Sequence, residues 1–279
     1  MVSFISPSKS TSARSNCMSD DYEIPLTKSL PWSAAKSLNF LVGGTRGMGK
    51  SFLALYLTRA LAQLSPPAQL YAIDPKNSDF GRLASLLPAG QVATQKDQIF
   101  NLLETFVDLM HRRIAFINQT AKFGQVARDL RMPLYYLIFD EFAVFSAQLD
   151  TKERKKFEAL VSSITLLGRA ANFGIIAIMQ QIAVGNSGFN SAWKEQFGAI
   201  AHMGAAHRSA YRQTFGEGIA LPDDELESGE GFIWLQGLTN GYALPFMAPY
   251  LNTANLWSDF EEALANQNDT DYLFMYVEA

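Results

Sequence analysis

The sequence has few of the residues that mark disulfide-bonded, zinc-binding or membrane-spanning proteins. Cys17 is the only cysteine, so no intrachain disulfide can form, which fits a reducing compartment. The histidines, His111, His202 and His207, lack the spacing of zinc ligands. No stretch approaches the roughly 18 to 20 uninterrupted apolar residues of a membrane-spanning helix, and the N-terminus lacks the apolar core of a signal peptide. We therefore expect a soluble, cytoplasmic chain without a membrane span, which a partner would have to recruit to any membrane.

Positive charge is also scarce. The 279 residues include 23 Lys and Arg against 27 Asp and Glu, giving a net charge of -4. A chain of this charge is not a basic nucleic-acid binder as a whole, so any contact with nucleic acid would have to be local. The densest basic run fits either a solvated helix start or a DNA-facing surface; it comprises Lys152, Arg154, Lys155 and Lys156.

Three segments differ in composition. Residues 1–21 are rich in Ser and predict a flexible tail. Residues 22–255 alternate short apolar strands with longer helical stretches, which predicts one α/β domain with a mostly parallel sheet covered by helices on both faces. Within this domain, residues 229–250 predict an antiparallel edge. Residues 256–279 contain six acidic side chains and no Lys or Arg, which predicts an acidic helix or tail.

A glycine-rich stretch follows the apolar strand Asn39–Val42 and opens a helix that begins at Lys50. It fits the phosphate-loop pattern G-x-x-x-x-G-K-[ST], and its position between strand and helix disfavours a chance glycine turn. The pattern predicts that the loop binds ATP, that Lys50 contacts the β- and γ-phosphates, and that Ser51 coordinates Mg²⁺. The predicted nucleotide-binding residues are Gly44, Thr45, Arg46, Gly47, Met48, Gly49, Lys50 and Ser51.

Asp140 and Glu141 follow the apolar strand Leu134–Phe139. A carboxylate at the end of a buried strand is costly without a partner, and Mg²⁺ is the natural partner for Asp140. Glu141 would then act as the general base that activates water. The alternative is that the pair only caps the following helix. An adjacent second carboxylate favours hydrolysis over phosphoryl transfer to a small molecule.

Two further polar residues are candidates for the same site. Gln180 follows the strand Ile175–Met179 and would sense the γ-phosphate, or it would form an ordinary strand-end hydrogen bond. Arg169 follows the break at Gly168 and is either catalytic or a solvated arginine.

Five ordered motifs resemble the motor domain of the FtsK/SpoIIIE DNA translocases and, more loosely, the HerA and conjugative coupling ATPases. The resemblance spans roughly residues 23–250. The motifs are the strand and loop Asn39–Thr45, Ile73-Asp74-Pro75-Lys76, Arg112-Arg113 late in a long helix, Asp140-Glu141-Phe142-Ala143, and Gly168-Arg169-Ala170-Ala171. The resemblance implies a RecA-like P-loop NTPase that forms a ring, hexameric in this family, with ATP sites between subunits. It also implies that Arg169 is an arginine finger for the neighbouring subunit.

The sequence departs from the family at two places. Gln181 and Ile182 stand where the family has Arg-Pro after its sensor glutamine, and either His207 or Arg208 replaces a family lysine. We also expect no membrane region before the motor and no DNA-reading winged helix after it, and such a compact motor would resemble a transfer ATPase of a plasmid or integrative conjugative element. Such an enzyme would act on double-stranded DNA with a membrane-bound or relaxase partner. The alternatives are a secretion-type ATPase that moves protein, and a nucleotide-gated scaffold that barely hydrolyses ATP.

Overall fold

A mostly parallel, eight-stranded sheet forms the centre of the protein in the computed structural model, which describes residues 22–180, 182, 191–222, 226–265 and 270–276. Its order is β10-β9-β8-β3-β7-β6-β4-β5, and a separate hairpin pairs β1 with β2. The strands are β1 (Glu23–Pro25), β2 (Pro31–Ser33), β3 (Phe40–Gly44), β4 (Gln69–Ile73), β5 (Val92–Ala93), β6 (Tyr135–Phe139), β7 (Phe173–Ile178), β8 (Ala199–Met203), β9 (Glu230–Leu235) and β10 (Leu244–Met247).

Helices connect and cover these strands. They are α1 (Lys50–Ala62), α2 (Lys96–Thr120), α3 (Phe142–Ala147), α4 (Thr151–Ala171), α5 (Ser191–Lys194), α6 (Arg208–Phe215) and α7 (Leu256–Leu264), with 3-10 turns at Gly81–Ser85 and Thr270–Phe274. Strands β3, β4, β5, β6, β7 and β8 run parallel, whereas β9 and β10 pair antiparallel. This confirms the predicted α/β class and the predicted antiparallel edge.

Each face of the sheet packs against its own hydrophobic core. The central strands alternate their side chains between the two: Tyr136 and Ile138 of β6 join the core under α1 and α7, and Leu137 and Phe139 join the core under α2, α4 and α6. All residues of these strands are buried because helices cover both faces. The predicted layers are therefore confirmed.

Element ends follow from local chemistry. Helix α4 begins at a capping box in which Asp150 accepts hydrogen bonds from the backbone N–H groups of Lys152 and Glu153. It ends at Asn172, which adopts the left-handed conformation at φ 59°. Gly168 is required nearby, because a Cβ at this position would lie 2.1 Å from the carbonyl oxygen of Phe173.

Some boundaries differ from the sequence prediction. The apolar periodicity after Lys96 predicts a helix that ends near Ile117, but α2 continues to Thr120. Strand β7 begins at Phe173 rather than at the predicted Ile175. The acidic segment 256–279 contains α7 and the turn Thr270–Phe274 in its described part. The predicted tail, residues 1–21, lies outside the described residues. Within the described ranges, no helix combines the length and the apolar composition needed to cross a bilayer.

Candidate functional site

The carboxyl ends of three adjacent parallel strands bring most of the predicted site residues together. The phosphate loop follows β3, Asp140 and Glu141 follow β6, and Gln180 lies just beyond β7. Strand β7 lies between the other two, with Ile178 opposite Val42 and Ala177 opposite Phe139. Open α/β sheets bind ligands at this edge.

The backbone of the phosphate loop is built for close approach to an anion. Gly44, Gly47 and Gly49 have φ angles of 133°, 81° and 98°, a region that side chains other than glycine rarely adopt. A Cβ at Gly44 would lie 2.2 Å from the carbonyl oxygen of Met203, so the loop also packs against β8. The conformation therefore depends on glycine at these positions.

Lys50 lies within the curve of this loop. Its Nζ donates a hydrogen bond to the carbonyl oxygen of Thr45 across 2.7 Å, and it is the first residue of α1. Burial lowers the pKa of Lys50, while the carboxylates of Glu141 and Asp140 oppose this shift. A cation at a helix N-terminus beside a glycine-rich loop fits the phosphates of a nucleotide.

Asp140 is a buried carboxylate beside a second one. It is 8% exposed, and burial, followed by the charges of Asp74 and Glu141, raises its pKa to about 7. Asp74 already has its partners, because its carboxylate accepts hydrogen bonds from the backbone N–H groups of Lys76, Ser78 and Gly81. Asp74 therefore shapes its own turn, whereas Asp140 accepts a backbone hydrogen bond from the N–H group of Glu141 at 2.9 Å and forms no salt bridge with any described residue.

Asp140 and Ser51 carry hard oxygen atoms of the kind that Mg²⁺ prefers as ligands, so these two residues could hold the ion. Among the described residues, no group of three or more His, Cys, Asp or Glu side chains could hold a metal. Mg²⁺ usually binds one or two protein oxygens and takes its other ligands from substrate phosphates and water. Bound together with nucleotide, the ion would neutralise charge on the phosphates.

Glu141 is oriented by side chains that follow two other strands. Its Oε1 accepts a hydrogen bond from Nε2 of Gln180 at 3.1 Å and an ion pair from Nζ of Lys76. Although Glu141 is the residue before α3, its side chain accepts no capping hydrogen bond from that helix. The capping alternative therefore does not explain the carboxylate, and the amide of Gln180 faces the site. The role of Lys76 was not predicted; the only sequence signal for it is its place in Ile73-Asp74-Pro75-Lys76.

Arg169 lies away from the other site residues. It is exposed in the last turn of α4, which ends where β7 begins, whereas Gln180 follows the other end of that strand. The six residues of β7 span roughly 20 Å. Arg169 therefore lies near the amino ends of the parallel strands, whereas Lys50 lies near their carboxyl ends. In the part of the chain that the structure describes, the Arg169 guanidinium forms no salt bridge.

A cavity of about 690 Å³ adjoins the phosphate loop and is bordered by Thr45, Gln180, His202, His207 and Thr214. The hydroxyl of Thr214 donates to the carbonyl of Ala210, so it accepts the hydrogen of His202 Nδ1 at 2.8 Å. Burial, followed by the charge of Lys50, lowers the pKa of His202 to about 4. His202 is therefore a neutral imidazole in the wall between the loop and α6.

Comparison with known proteins assigns this site to a family. A model described as the FtsK/SpoIIIE family matches residues 8–182, which is more than half of the chain. The chain belongs to the FtsK/SpoIIIE family. It is an ATP-hydrolysing P-loop enzyme, and this confirms the resemblance found in the sequence. The match begins at residue 8, within the segment predicted as a tail.

Individual relatives agree with this assignment. The FtsK domain-containing protein YdcQ of Bacillus subtilis strain 168 is 27% identical over 228 residues, covering 81% of this chain and 46% of YdcQ. The chain thus spans about half the length of this curated relative.

Solved structures share the fold. The pCW3 conjugation coupling protein TcpA, a monomer form with ATPγS, has a TM-score of 0.67 at 19% identity, covering 88% of this chain and 75% of TcpA. ATPases 2 and 3 of EssC from Geobacillus thermodenitrificans have a TM-score of 0.65 at 15% identity, covering 85% and 45%. The cytoplasmic domain of the type VII secretion ATPase EccC from Thermomonospora curvata has a TM-score of 0.60 at 16% identity, covering 91% and 32%.

Proposed function

We propose that the protein is an ATP-driven translocase of double-stranded DNA that works as a ring, hexameric by analogy with its family, with Mg²⁺ as the metal ion. The observation that carries the proposal is the separation of the site residues. Lys50, Glu141 and Gln180 lie at the carboxyl ends of the parallel strands, whereas Arg169 lies near their amino ends. An arginine finger in that position can complete only the site of a second subunit, as a head-to-tail ring arrangement would allow.

Each site residue then has one task in hydrolysis. Lys50 binds the β- and γ-phosphates through its ammonium group. Glu141, oriented by Lys76 and Gln180, accepts the proton of the attacking water. Arg169 of the neighbouring subunit stabilises charge on the transferring phosphoryl group. Asp140 and Ser51 would hold the metal ion, which would supply positive charge next to the phosphates.

We favour DNA as the cargo because the chain belongs to the FtsK/SpoIIIE family and because TcpA, which shares its fold, is named a conjugation coupling protein. A ring needs positive charge only along its channel, so a net charge of -4 is compatible with threading DNA. The basic run at the start of α4 is only partly available for DNA, because Lys156 pairs with Glu104 of α2 at 2.6 Å. His207 and Arg208 are exposed at the start of α6 and are further candidates.

Transfer of a plasmid or an integrative conjugative element is the role that we propose for this activity. The partner would be a membrane-bound protein or a relaxase of the transfer machinery, and the motor would act in the cytoplasm, where such a partner recruits it to the membrane.

The proposal is tested by the ATPase rate with and without double-stranded DNA, measured alongside the oligomer mass. We expect stimulation by duplex DNA, strongest at low salt, and a mass that rises to a ring when nucleotide and DNA are present. A rate that duplex DNA leaves unchanged, in a protein that stays monomeric, would contradict the proposal.

A secretion-type ATPase that moves protein is the second candidate, favoured by the fold shared with EssC and EccC. Stimulation by an unfolded peptide substrate but not by DNA would support it. A nucleotide-gated scaffold is disfavoured, because Glu141 lies free of capping contacts and beside Gln180, as hydrolysis requires.

A further inference from the structure

Arg113 is a fully buried arginine that holds four backbone segments together. Its Nη1 donates to the carbonyl oxygens of Pro133 at 2.6 Å and Ala171 at 3.0 Å. Its Nε donates to Leu273 at 2.8 Å, and its Nη2 donates to Tyr272 at 3.3 Å. The guanidinium therefore joins α2 to the segment before β6, to the end of α4 and to the turn Thr270–Phe274.

No carboxylate neutralises this group among the salt bridges of the described residues. Instead, the guanidinium stacks over the rings of Tyr135 and Phe173, 4.5 and 5.3 Å from their centroids. Burying a cation without an anion costs stability, and an apolar side chain of similar volume would avoid that cost. Stability alone is therefore a poor reason for an arginine at this position.

Of the elements that Arg113 joins, the end of α4 is the one that carries a residue of the proposed reaction. Ala171, whose carbonyl Arg113 binds, is two residues beyond Arg169. The same helix end is held by Asn172, whose Nδ2 donates to the carbonyl of Met132 at 2.7 Å. Gly168 also packs closely against the backbone of Phe173, whose carbonyl oxygen would lie 2.1 Å from a Cβ at position 168.

We propose that Arg113 is a positioning residue that fixes the direction in which Arg169 projects toward the neighbouring subunit, and that the turn Thr270–Phe274 completes its support. The inference rests on the proposed function, because it needs Arg169 to act in the neighbouring site. A rigidly held finger matters, since a displacement of about 1 Å can cost roughly 10²-fold in rate. A lysine cannot replace Arg113, because a single ammonium cannot present the planar fork of donors that reaches these carbonyls.

Arg113→Lys is the variant that tests the inference, with Arg112→Lys as its matched control. Arg112 is the exposed neighbour, with a side chain 55% exposed. We expect Arg113→Lys to bind ATP as the parent protein does while its hydrolysis falls by about 10- to 100-fold. The Arg112→Lys protein should keep the parental rate. Full activity of Arg113→Lys would overturn the inference.

Mixed rings distinguish a misplaced finger from a general defect. Single-turnover hydrolysis is measured in 1:1 mixtures, in which a given ordered pair of neighbours occurs at about one interface in four. Arg113→Lys subunits have intact loops, so mixing them with Lys50→Ala subunits, which have intact fingers, should restore hydrolysis. Mixing Arg113→Lys with Arg169→Ala should restore none, because neither subunit supplies a well-placed finger. The inference would be overturned if hydrolysis returned in the mixture of Arg113→Lys with Arg169→Ala, or if it returned in neither of the two mixtures.

The reference mixture of Lys50→Ala and Arg169→Ala separates this inference from the proposed function. If the reference mixture regains hydrolysis but the two Arg113→Lys mixtures do not give the expected results, only the role of Arg113 is wrong. If the reference stays inactive in single turnover, the shared site itself is contradicted. If a thermal melt shows that Arg113→Lys does not fold, Leu273→Ala replaces it, because Leu273 is buried in the core at the turn that Arg113 binds. Leu273→Ala loosens the same support and must give the same results in the two mixtures.

Discussion

Gln180 donates a hydrogen bond from Nε2 to Oε1 of Glu141 across 3.1 Å, so side chains that follow two neighbouring strands meet at one carboxylate oxygen. Lys76, which follows a third strand, pairs with the same oxygen. Three strand ends thus set the orientation of the proposed base. Preorganisation of this kind places a general base within reach of its proton without a rearrangement during the reaction.

Glu141→Gln tests the base. The amide keeps the size of the carboxylate but cannot accept the proton of water, so we expect kcat to fall by about 10²- to 10⁴-fold while ATP binding remains. The variant should also retain unhydrolysed ATP, which rapid filtration with labelled nucleotide measures. Glu195→Gln, at an exposed position, is the control and should be unaffected. Hydrolysis by Glu141→Gln at the parental rate would assign the base to another residue.

Lys50→Ala tests the phosphate loop. Without the ammonium that lies in the curve of the loop, the β- and γ-phosphates lose a charge-assisted partner. We expect hydrolysis to be lost and the affinity for a fluorescent ATP analogue to fall at least about tenfold. Lys28→Ala removes an exposed lysine and is the matched control. Near-normal turnover in Lys50→Ala would show that the loop assignment is wrong.

Arg169→Ala tests the division of the site between subunits. Arginine fingers are worth roughly 10³- to 10⁵-fold in rate, so hydrolysis should fall by that order while each subunit still binds ATP through its own loop. Arg169→Lys should restore little, because a lysine lacks the planar fork. Steady-state rates and nucleotide titrations check both expectations. A fully active Arg169→Ala protein would remove the finger assignment.

His202 makes stability depend on pH. Its folded pKa of about 4 lies below its ordinary value of 6.5, so between these values the unfolded chain binds more protons and stability falls as pH is lowered. The contribution of His202 is full above pH 6.5 and is lost by pH 4, at a cost of at most about 3 kcal/mol. His202→Asn keeps a donor for Thr214 but does not titrate. In urea unfolding at pH 7 and pH 4.5, the parent should lose more stability than this variant; equal losses would contradict the buried neutral imidazole.

The sequence predicted the parts of the site in which an apolar run ends in a polar residue. Asp140, Glu141 and the phosphate loop were predicted in this way, although Asp74 shows that a carboxylate after a buried parallel strand can also serve only its own turn. The contact between Lys76 and Glu141 could not be predicted, because it depends on β4 lying beside β6 in the sheet. Arg113 was equally hidden: an arginine late in an amphipathic helix usually faces solvent, and only packing shows that this one is buried.

Boundaries were less predictable than elements. Helix α2 continues beyond Ile117 through residues without a clear apolar face, where the pattern no longer predicts a helix. Arg169 was predicted from the family motif, but its distance from Lys50 follows only from the connection between α4 and β7. The sequence thus predicted candidate residues for the site, and the fold determined at which end of the parallel strands each one lies.

Movement along duplex DNA is the central claim, and displacement of a third strand tests it most directly. A triplex-forming oligonucleotide is annealed to a duplex, and its release is followed by fluorescence after ATP is added. We predict release by the parent protein with ATP, and none by Glu141→Gln, which should bind ATP but not hydrolyse it. A parent protein that hydrolyses ATP in the presence of the duplex yet leaves the third strand in place would contradict the claim.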